Sequence, residues 1–379
     1  MPRKPQAARP KKPKVKLPPK EKAEPAKPKP KPKPAAPAKE EESPDAPLLA
    51  YGTQLRLLDV FSRAFHDELY APDLDATLQS IKGALFNRDF AAAFGREENL
   101  AAYAARWSPT RALGYASIFN RLEEQFSGIL PDAGGKGEEQ REDGGEDAER
   151  PRLRMVSVGG GTAELGAMAT FLECNPHLSG DLTLVDSGPW APVVDRLQHS
   201  LITAPPLPET ASPAAVAANK AFLPPDTLQT TFHHHDILSL DGPSLSRLLD
   251  KNPAIVTLLF TLNELYTSSI GKTTAFLLSL GAHLAKGSLL LVVDSPGSYA
   301  EARVGGSEKR YPMRWLLEHA LLTTAAGTWE RVETCDSVWF RVAESLRYPL
   351  SLENMRYQLH LYRVVGAPKT ADGEQKQEA

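Results

Sequence analysis

Cysteine is scarce in this sequence of 379 residues, and long apolar runs are missing from it. The two cysteines, Cys174 and Cys335, have no CxxC spacing and cannot build a disulfide framework, which is typical of a reducing compartment. No apolar stretch approaches the roughly 20 residues that a membrane helix needs, and the first residues lack the apolar core of a signal peptide. We therefore expect a protein that is neither secreted nor embedded in a membrane.

Proline is abundant instead, with 33 residues, and much of it lies in a basic N-terminal segment. Residues 1–40 carry 14 Lys/Arg and 3 Asp/Glu, which leaves 30 basic and 44 acidic side chains for the rest of the chain. Residues 1–46 have too little apolar surface to offset the entropy cost of ordering, so we predict a disordered basic tail. A basic arm on an acidic body favours a polyanionic partner or a nuclear import signal at residues 10–16, although a merely solvated tail has the same composition.

The spacing of apolar residues divides the remaining chain into four segments. Residues 47–130 have apolar side chains at every third or fourth position, which predicts an N-terminal module of three to four helices. Residues 131–151 are acidic and nearly free of apolar side chains, which indicates a disordered linker. Strand and helix patterns then alternate over residues 152–368, and a polar tail follows at 369–379.

The most informative stretch of this body is MVSVGGGTAELGAMATFLECNPHLSGDLTLVDS, residues 155–187. A short apolar strand leads into Gly159, Gly160 and Gly161. A helix with apolar side chains at helical spacing follows, and a second strand ends on Asp186. Glycines let a ligand approach the backbone, and an acid at the end of the second strand can accept hydrogen bonds from ribose hydroxyls. The pattern is typical of a nucleoside-binding α/β unit.

Two cofactors suit such a loop. The NAD fingerprint needs a third glycine where this chain has Glu164, whereas S-adenosylmethionine needs only a close approach to the loop. Two C-terminal strand patterns, 337–342 and 358–365, have no crossover helix between them and should pair antiparallel at one edge of the sheet. We therefore predict a doubly wound, Rossmann-like α/β sheet with an antiparallel C-terminal edge, which favours S-adenosylmethionine.

Several longer sequences resemble one known family. SVGGGTAELGAM, LTLVDSGPW, TLLFTLNELYT and GSLLLVVDSPGSY, preceded by ALFNRDFAAAFG and YAARWSPTRALGY, resemble the fungal 25S (large-subunit) rRNA uridine-N3 methyltransferases over roughly residues 75–365. The resemblance implies a class I methyltransferase fold, S-adenosylmethionine as cofactor, and methylation of N3 of a uridine in 25S rRNA. Large-subunit rRNA or a pre-ribosomal particle is then the expected partner, in the nucleus, nucleolus and cytoplasm. We also expect a monomer.

The resemblance implies a set of cofactor-binding residues near the ends of the first four strands. The glycines are expected to cradle the methionine and ribose of the cofactor, and Asp186 to hold the ribose hydroxyls. Asp236 takes the position that usually contacts adenine, and Ile237 is expected to pack on the adenine ring. Ser157 stands where class I enzymes often carry a further acid. The set consists of Gly159, Gly160, Gly161, Asp186, Asp236, Ile237 and Phe260.

Three adjacent histidines before Asp236 also raise the question of a zinc site. Neighbouring residues of a strand cannot all face one ion, and no cysteine or second histidine pair completes a ligand set. We therefore expect no metal.

The sequence FTLNELY after the fourth strand holds the candidate catalytic residues. Uracil N3 carries a proton at neutral pH, so a base or a polarising hydrogen bond must help to remove it. Glu264 is the candidate base. Asn263 can read a uracil edge or cap the following helix, and Tyr266 can stack on a flipped base.

Candidate substrate contacts lie in the helical module and after the fifth strand. On residue types alone, the arginines there are solvated and the aromatic residues pack between helices, and a tyrosine after a Pro-Gly turn is ordinary. The family resemblance favours contacts of the arginines to RNA phosphate or to the cofactor carboxylate. The tyrosine follows the fifth strand at the carboxyl edge of the sheet, where ligands bind, and is a candidate for the substrate mouth. The candidates are Arg88, Arg106, Trp107, Arg111 and Tyr299.

Two rival functions stay open at this point. The same fold can methylate a protein or a small molecule, and a non-catalytic RNA-binding assembly factor can keep the cofactor fold. The presence of Gly159, Gly161 and Asp186 argues against the second rival.

Overall fold

The computed structural model describes residues 49–130, 150–304 and 307–366, with the backbone alone at 299–304 and 307–310. The predicted tails at 1–46 and 369–379 and nearly all of the predicted linker lie outside these ranges. The described strands are β1 (Arg152–Val158), β2 (Ser179–Asp186), β3 (Leu228–His234), β4 (Ile255–Leu259), β5 (Leu289–Asp294), β6 (Tyr299–Val304), β7 (Ser307–Pro312), β8 (Trp329–Phe340) and β9 (Met355–Val364).

The helices alternate with these strands after a helical N-terminal region. None of the described helices has the length and apolar character needed to cross a bilayer. The described α-helices are α1 (Tyr51–Ala64), α2 (His66–Leu69), α3 (Leu74–Phe86), α4 (Phe90–Phe94), α5 (Glu97–Arg106), α6 (Ser108–Arg121), α7 (Glu123–Ser127), α8 (Thr162–Cys174), α9 (Ala191–Ile202), α10 (Pro213–Ala218), α11 (Gly242–Leu249), α12 (Leu262–Ser268), α13 (Ile270–His283) and α14 (Met313–Glu318).

Seven strands form one mixed sheet in the order β3-β2-β1-β4-β5-β9-β8. The first five are parallel, β9 is antiparallel to β5, and β8 is antiparallel to β9. Every side chain of β4 and β5 is buried, as expected for central parallel strands that helices cover on both faces. The predicted doubly wound sheet with an antiparallel C-terminal edge is confirmed.

The N-terminal helices share one apolar core with the sheet. Phe61 of α1, Leu113 of α6 and Met155 of β1 belong to the same buried cluster, and a Cβ on Gly166 of α8 would lie 3.0 Å from Ala112 of α6. Residues 49–130 form seven helices where the apolar spacing predicted three to four. The difference arises because short non-helical breaks, such as the one at Phe65, do not disturb the spacing of apolar residues.

Candidate active site

A cavity of about 470 Å³ opens at the carboxyl edge of the parallel strands, within the size range of small-molecule sites. Its floor is formed by the loop after β1 and the ends of β2 and β4, and its far wall by helices α4 to α6 and the start of α12. Ligands of open α/β sheets bind at this edge because the strand order reverses there between β1 and β4.

The glycine loop turns sharply below this cavity. Gly159 has a φ of +70°, a conformation that side chains with a Cβ adopt only at a cost. A Cβ at this position would lie 2.4 Å from Thr261 Oγ1, closer than packing allows. A Cβ added to Gly161 would lie 3.1 Å from the Trp190 ring, a tight contact that glycine avoids. Gly159 and Gly161 both line the cavity.

Gly160 has a different environment from the other two glycines. A Cβ there would lie 2.7 Å from Ser157 Oγ and 2.9 Å from a Leu184 methyl group, so the position packs against β1 and β2. Ser157, at the position where class I enzymes often carry an acid, accepts a hydrogen bond from Thr257 Oγ1 at 2.8 Å and is fully buried. Of the three glycines, only the first and the third therefore line the cavity.

Glu164, which stands where the NAD fingerprint has its third glycine, caps the start of α8. The backbone N–H of Gly161 donates to its carboxylate at 2.7 Å, so the side chain satisfies a free N–H at the start of α8. Burial raises its pKa to about 7. In the sequence pattern Glu164 counted only against NAD, and its capping role became visible once the structure placed Gly161 at the N-cap of α8.

Asp186 ends β2 and lines the cavity. Gly188 N–H donates to its Oδ1 at 2.6 Å, which fixes the carboxylate. Burial raises the pKa of Asp186 to about 6, and the hydrogen bond from Gly188 opposes that shift. An ionised acid at this position has a second oxygen available for ligand hydroxyls.

Asp236 and Ile237 lie beside Asp186 on the cavity wall. Ile237 is buried, and Asp236 Oδ1 accepts a hydrogen bond from Leu238 N at 2.9 Å. β3 ends at His234, whose Nε2 lies 2.9 Å from the Ser187 carbonyl oxygen. In the described ranges there is no group of three or more His, Cys, Asp and Glu side chains that could hold a metal ion.

Glu264 of α12 is a further carboxylate that lines the cavity. It is the third residue of α12, so the N-terminal end of the helix dipole favours its charge. Burial nevertheless raises the pKa of Glu264 to about 7, against the opposing effect of the Arg111 guanidinium. A carboxylate with such a pKa accepts and returns protons near neutral pH.

Asn263 and Tyr266 do not reach the cavity with Glu264. α12 begins at Leu262, so Asn263 is not its N-cap; its N–H donates to Asp294 Oδ2 at 3.0 Å, and its Oδ1 is buried with no hydrogen-bond partner among the described residues. Tyr266 is 1% exposed and belongs to the apolar cluster on the other face of the sheet. Tyr266 follows Glu264 by two residues in α12, so its side chain is rotated by about 200° around the helix axis from the Glu264 carboxylate. Stacking of Tyr266 on a flipped base is incompatible with this position.

Phe260 and Arg111 form the side of the cavity next to Glu264. Phe260 follows β4 with a φ of +61°, an unusual conformation for a bulky residue that is found at functional sites. The Arg111 guanidinium lies 4.7 Å from the centre of its ring, and Tyr115 stacks on the same ring at 6.3 Å. Tyr103 of α5, Tyr115 of α6 and Trp190, which immediately precedes α9, also line the cavity; sequence patterns alone could not bring them together, because they come from three separate segments.

Arg106 and Trp107 line a second cavity of about 200 Å³, which shares Arg111 and Phe260 with the first. Arg106 is buried, donates to the Ser351 carbonyl oxygen at 2.8 Å and forms an ion pair with Glu353. Its guanidinium is therefore committed to the loop before β9, and the predicted phosphate contact is not available to it in this structure.

Arg88 and Tyr299 are the remaining predicted contact residues. Arg88 is exposed beside the first cavity, has a φ of +57°, and its Nη1 donates to Thr267 Oγ1 at 3.4 Å. Tyr299 begins β6, and its side chain lies outside what the structure describes.

The cavity fits S-adenosylmethionine. The bare backbone at Gly159 and Gly161 admits a close ligand, and Asp186 stands at the end of β2 where a ribose is held. Asp186 and Glu264 face the interior with Arg111 as the basic side chain of the lining, a balance that suits a ligand with a sulfonium cation. This strand order and this site define a class I S-adenosylmethionine-dependent methyltransferase.

Comparison with known proteins agrees with that class. The sequence profile of the family described as "Putative SAM-dependent methyltransferase" matches residues 61–363, and the chain belongs to this family. The 25S rRNA (uridine(2843)-N(3))-methyltransferase of Saccharomyces cerevisiae is 28% identical over 338 residues, which cover 81% of this chain and 84% of the yeast protein.

Two solved structures are similar to part of this chain. One is a SAM-dependent methyltransferase from Methanosarcina mazei, 9% identical, which covers 56% of this chain and 92% of its own with a TM-score of 0.33. The other is a variant of the 16S rRNA (adenine(1408)-N(1))-methyltransferase from Catenulisporales acidiphilia, 16% identical, with coverage of 57% and 89% and a TM-score of 0.34. At these scores the likeness says nothing about substrate or reaction.

Proposed function

We propose that this protein methylates N3 of a uridine in large-subunit rRNA. The observation that carries the proposal is Glu264, a cavity-lining carboxylate whose pKa of about 7 suits removal of a proton from a weakly acidic ring nitrogen. The yeast relative supports the choice of acceptor, because the match extends over 84% of that enzyme.

The residues divide between holding the cofactor and handling the proton. S-adenosylmethionine supplies a methyl group bound to a sulfonium. In the proposal Gly159 and Gly161 cradle its methionine and ribose, and Asp186 accepts hydrogen bonds from the ribose hydroxyls. Asp236 and Ile237 contact the adenine, and Phe260 closes the side of the site next to Arg111.

Glu264 has a proton-transfer role in this scheme. Its carboxylate accepts the N3 proton of the uracil and later returns it to water, while the walls of the cavity hold the acceptor in line with the methyl group. Arg111, which lines both cavities, keeps a positive charge between the cofactor and the acceptor and can pair with the cofactor carboxylate.

The composition of the other segments suggests a role for each of them. We propose that residues 47–130 act as a helical module on a methyltransferase body at 152–368, and that the basic segment 1–46 assists binding to rRNA or a pre-ribosomal particle. We propose that this action takes place in the nucleus, nucleolus and cytoplasm.

Asp186→Asn should weaken binding of S-adenosylmethionine by about 1–3 kcal/mol, because the charged hydrogen bonds to the ribose are lost. In the wild type, the affinity for S-adenosylmethionine should fall as the pH drops below about 6, because burial raises the pKa of Asp186 to about 6 and its carboxylate becomes protonated there. Calorimetric titration at several pH values measures both effects. Asp241→Asn, at the N-cap of α11, is the matched control and should bind as the wild type does. Unchanged affinity in Asp186→Asn would remove Asp186 from the cofactor site.

The acceptor is tested by nucleoside mass spectrometry of large-subunit rRNA. We expect 3-methyluridine to decrease in cells that lack the gene and to return with the wild-type gene but not with Glu264→Gln. Undiminished 3-methyluridine in the deletion strain would contradict the rRNA assignment. If purified protein still bound S-adenosylmethionine, a protein or small molecule would then be the acceptor to pursue.

A further inference from the structure

A half-exposed tryptophan stands between two arginines at the antiparallel edge of the sheet. Trp339 of β8 is 40% exposed and pairs with Arg356 of β9 across the ladder. The guanidinium carbons of Arg341 and Arg356 lie 5.1 Å and 5.6 Å from the centre of its ring. These three residues are called the Trp339 platform below.

The platform is not needed to cover the core. Val338 and Phe340, on either side of Trp339, are buried on the face of the sheet toward the main apolar cluster, so Trp339 points to the opposite face. Arg341 and Arg356 are both exposed, and among the described side chains no carboxylate lies within salt-bridge distance of either. Arg356 is oriented by a hydrogen bond from its Nε to Ser337 Oγ at 2.9 Å.

One residue of the platform, Arg356, also contributes to a cavity beside the active site. Arg356 also lines the second cavity, and that cavity shares Arg111 and Phe260 with the cavity that contains Glu264. Within the second cavity the charge of Arg106 is offset by Glu353, while Arg111 and Arg356 leave an excess of positive charge. Arg356 therefore links the platform to a cavity that adjoins the one containing Glu264.

We propose that the Trp339 platform binds single-stranded RNA next to the target nucleotide, with a base stacked on Trp339 and phosphates against Arg341 and Arg356. Single-stranded RNA is recognised by stacking of unpaired bases on aromatic side chains and arginine planes, together with basic groups that follow the backbone. The proposal rests on an RNA acceptor, as proposed above. It adds the strand of the fold along which that RNA lies.

The test measures binding of a fluorescein-labelled oligouridylate of about 12 nucleotides to the full chain, by fluorescence anisotropy at several salt concentrations. Trp339→Ala should weaken binding by about fivefold or more without changing the salt slope, because stacking is lost and no charge is removed. Trp339→Phe should restore most of the affinity. Arg341→Ala should instead lower the slope of log K against log salt by about 0.7, the value for one phosphate contact on a single strand.

Arg56→Ala is the matched control. Arg56 also lies over an aromatic ring, that of Phe222 at 5.0 Å, but it pairs with Glu173 near the end of α8, at the opposite edge of the sheet. It should bind RNA and S-adenosylmethionine as the wild type does. Thermal unfolding and calorimetry with S-adenosylmethionine confirm that each variant is folded.

The outcomes separate this inference from the proposed function. If wild-type protein methylates uridine in rRNA and Trp339→Ala and Arg341→Ala bind oligouridylate as tightly as Arg56→Ala does, the platform is not the RNA surface and the proposed function stands. If no uridine methylation occurs, the proposed function fails by itself. Weaker binding in both platform variants, with an altered salt slope only in Arg341→Ala, supports the inference.

Discussion

Glu264→Gln is expected to lower the rate of methyl transfer to uridine by roughly 10²- to 10⁴-fold, the range that general base catalysis contributes. Glutamine keeps the size of the side chain and its place on α12 but cannot accept the N3 proton. The wall opposite Asp186 stays in shape, so S-adenosylmethionine should bind about as tightly as it does to the wild type. Single-turnover methylation of rRNA with radiolabelled cofactor measures the rate, and calorimetry measures binding.

The pH profile gives an independent readout of the same group. Burial raises the pKa of Glu264 to about 7, so the protonated, inactive form predominates below that pH in the free enzyme. A bound sulfonium cation favours the ionised form and moves the midpoint downward. The wild-type rate should therefore rise with pH through a midpoint at or below about 7, and Glu264→Gln should lose this rise.

Glu264→Asp provides the matched control. It retains the carboxylate on a side chain one methylene shorter, so the rate should fall less than in the glutamine variant and the pH dependence should persist. A glutamine variant with the wild-type rate and pH profile would show that another group removes the proton. Buried Asp294, whose pKa burial also raises and whose carboxylate accepts the Asn263 N–H, is one alternative.

Much of the fold was predictable because its signals are local. The glycine loop, the acid at the end of β2 and the apolar runs of β4 and β5 each occupy one short stretch, and parallel strands with covered faces follow from them. The antiparallel edge was predictable from the missing crossover helix before β9. The hairpin of β6 and β7 and the helix α14 were not predicted, since their sequences have neither a long apolar run nor clear spacing.

The candidate site was less predictable because its walls come from distant segments. The periodicity of α12 places Glu264 and Tyr266 on different faces, but only the packed structure shows which face meets the cavity and which the core. Arg106 could not be separated from Arg111 by residue type. Arg106 pairs with Glu353, 247 residues further along the chain, whereas Arg111 lines the candidate cofactor cavity.

Gly159→Ala is expected to have the second large effect, a loss of at least tenfold in affinity for S-adenosylmethionine together with lower stability. The φ of +70° alone costs a residue with a Cβ about 1–2 kcal/mol. The added carbon would also lie 2.4 Å from Thr261 Oγ1 and 2.5 Å from its methyl group. Because Thr261 immediately precedes α12, its displacement also moves Glu264, so the methylation rate should fall as well.

Gly287→Ala separates backbone strain from this steric contact. Gly287 has a φ of +90°, but a Cβ there meets no atom within 4 Å, in the turn that leads into β5. That variant should lose stability to a similar extent through strain and keep its affinity for the cofactor. Adding Thr261→Gly to Gly159→Ala removes the clash, and since glycine is tolerated at N-caps, the double variant should recover part of the binding. Calorimetry and urea unfolding of the three variants test this; wild-type affinity in Gly159→Ala would show that the loop does not cradle the cofactor.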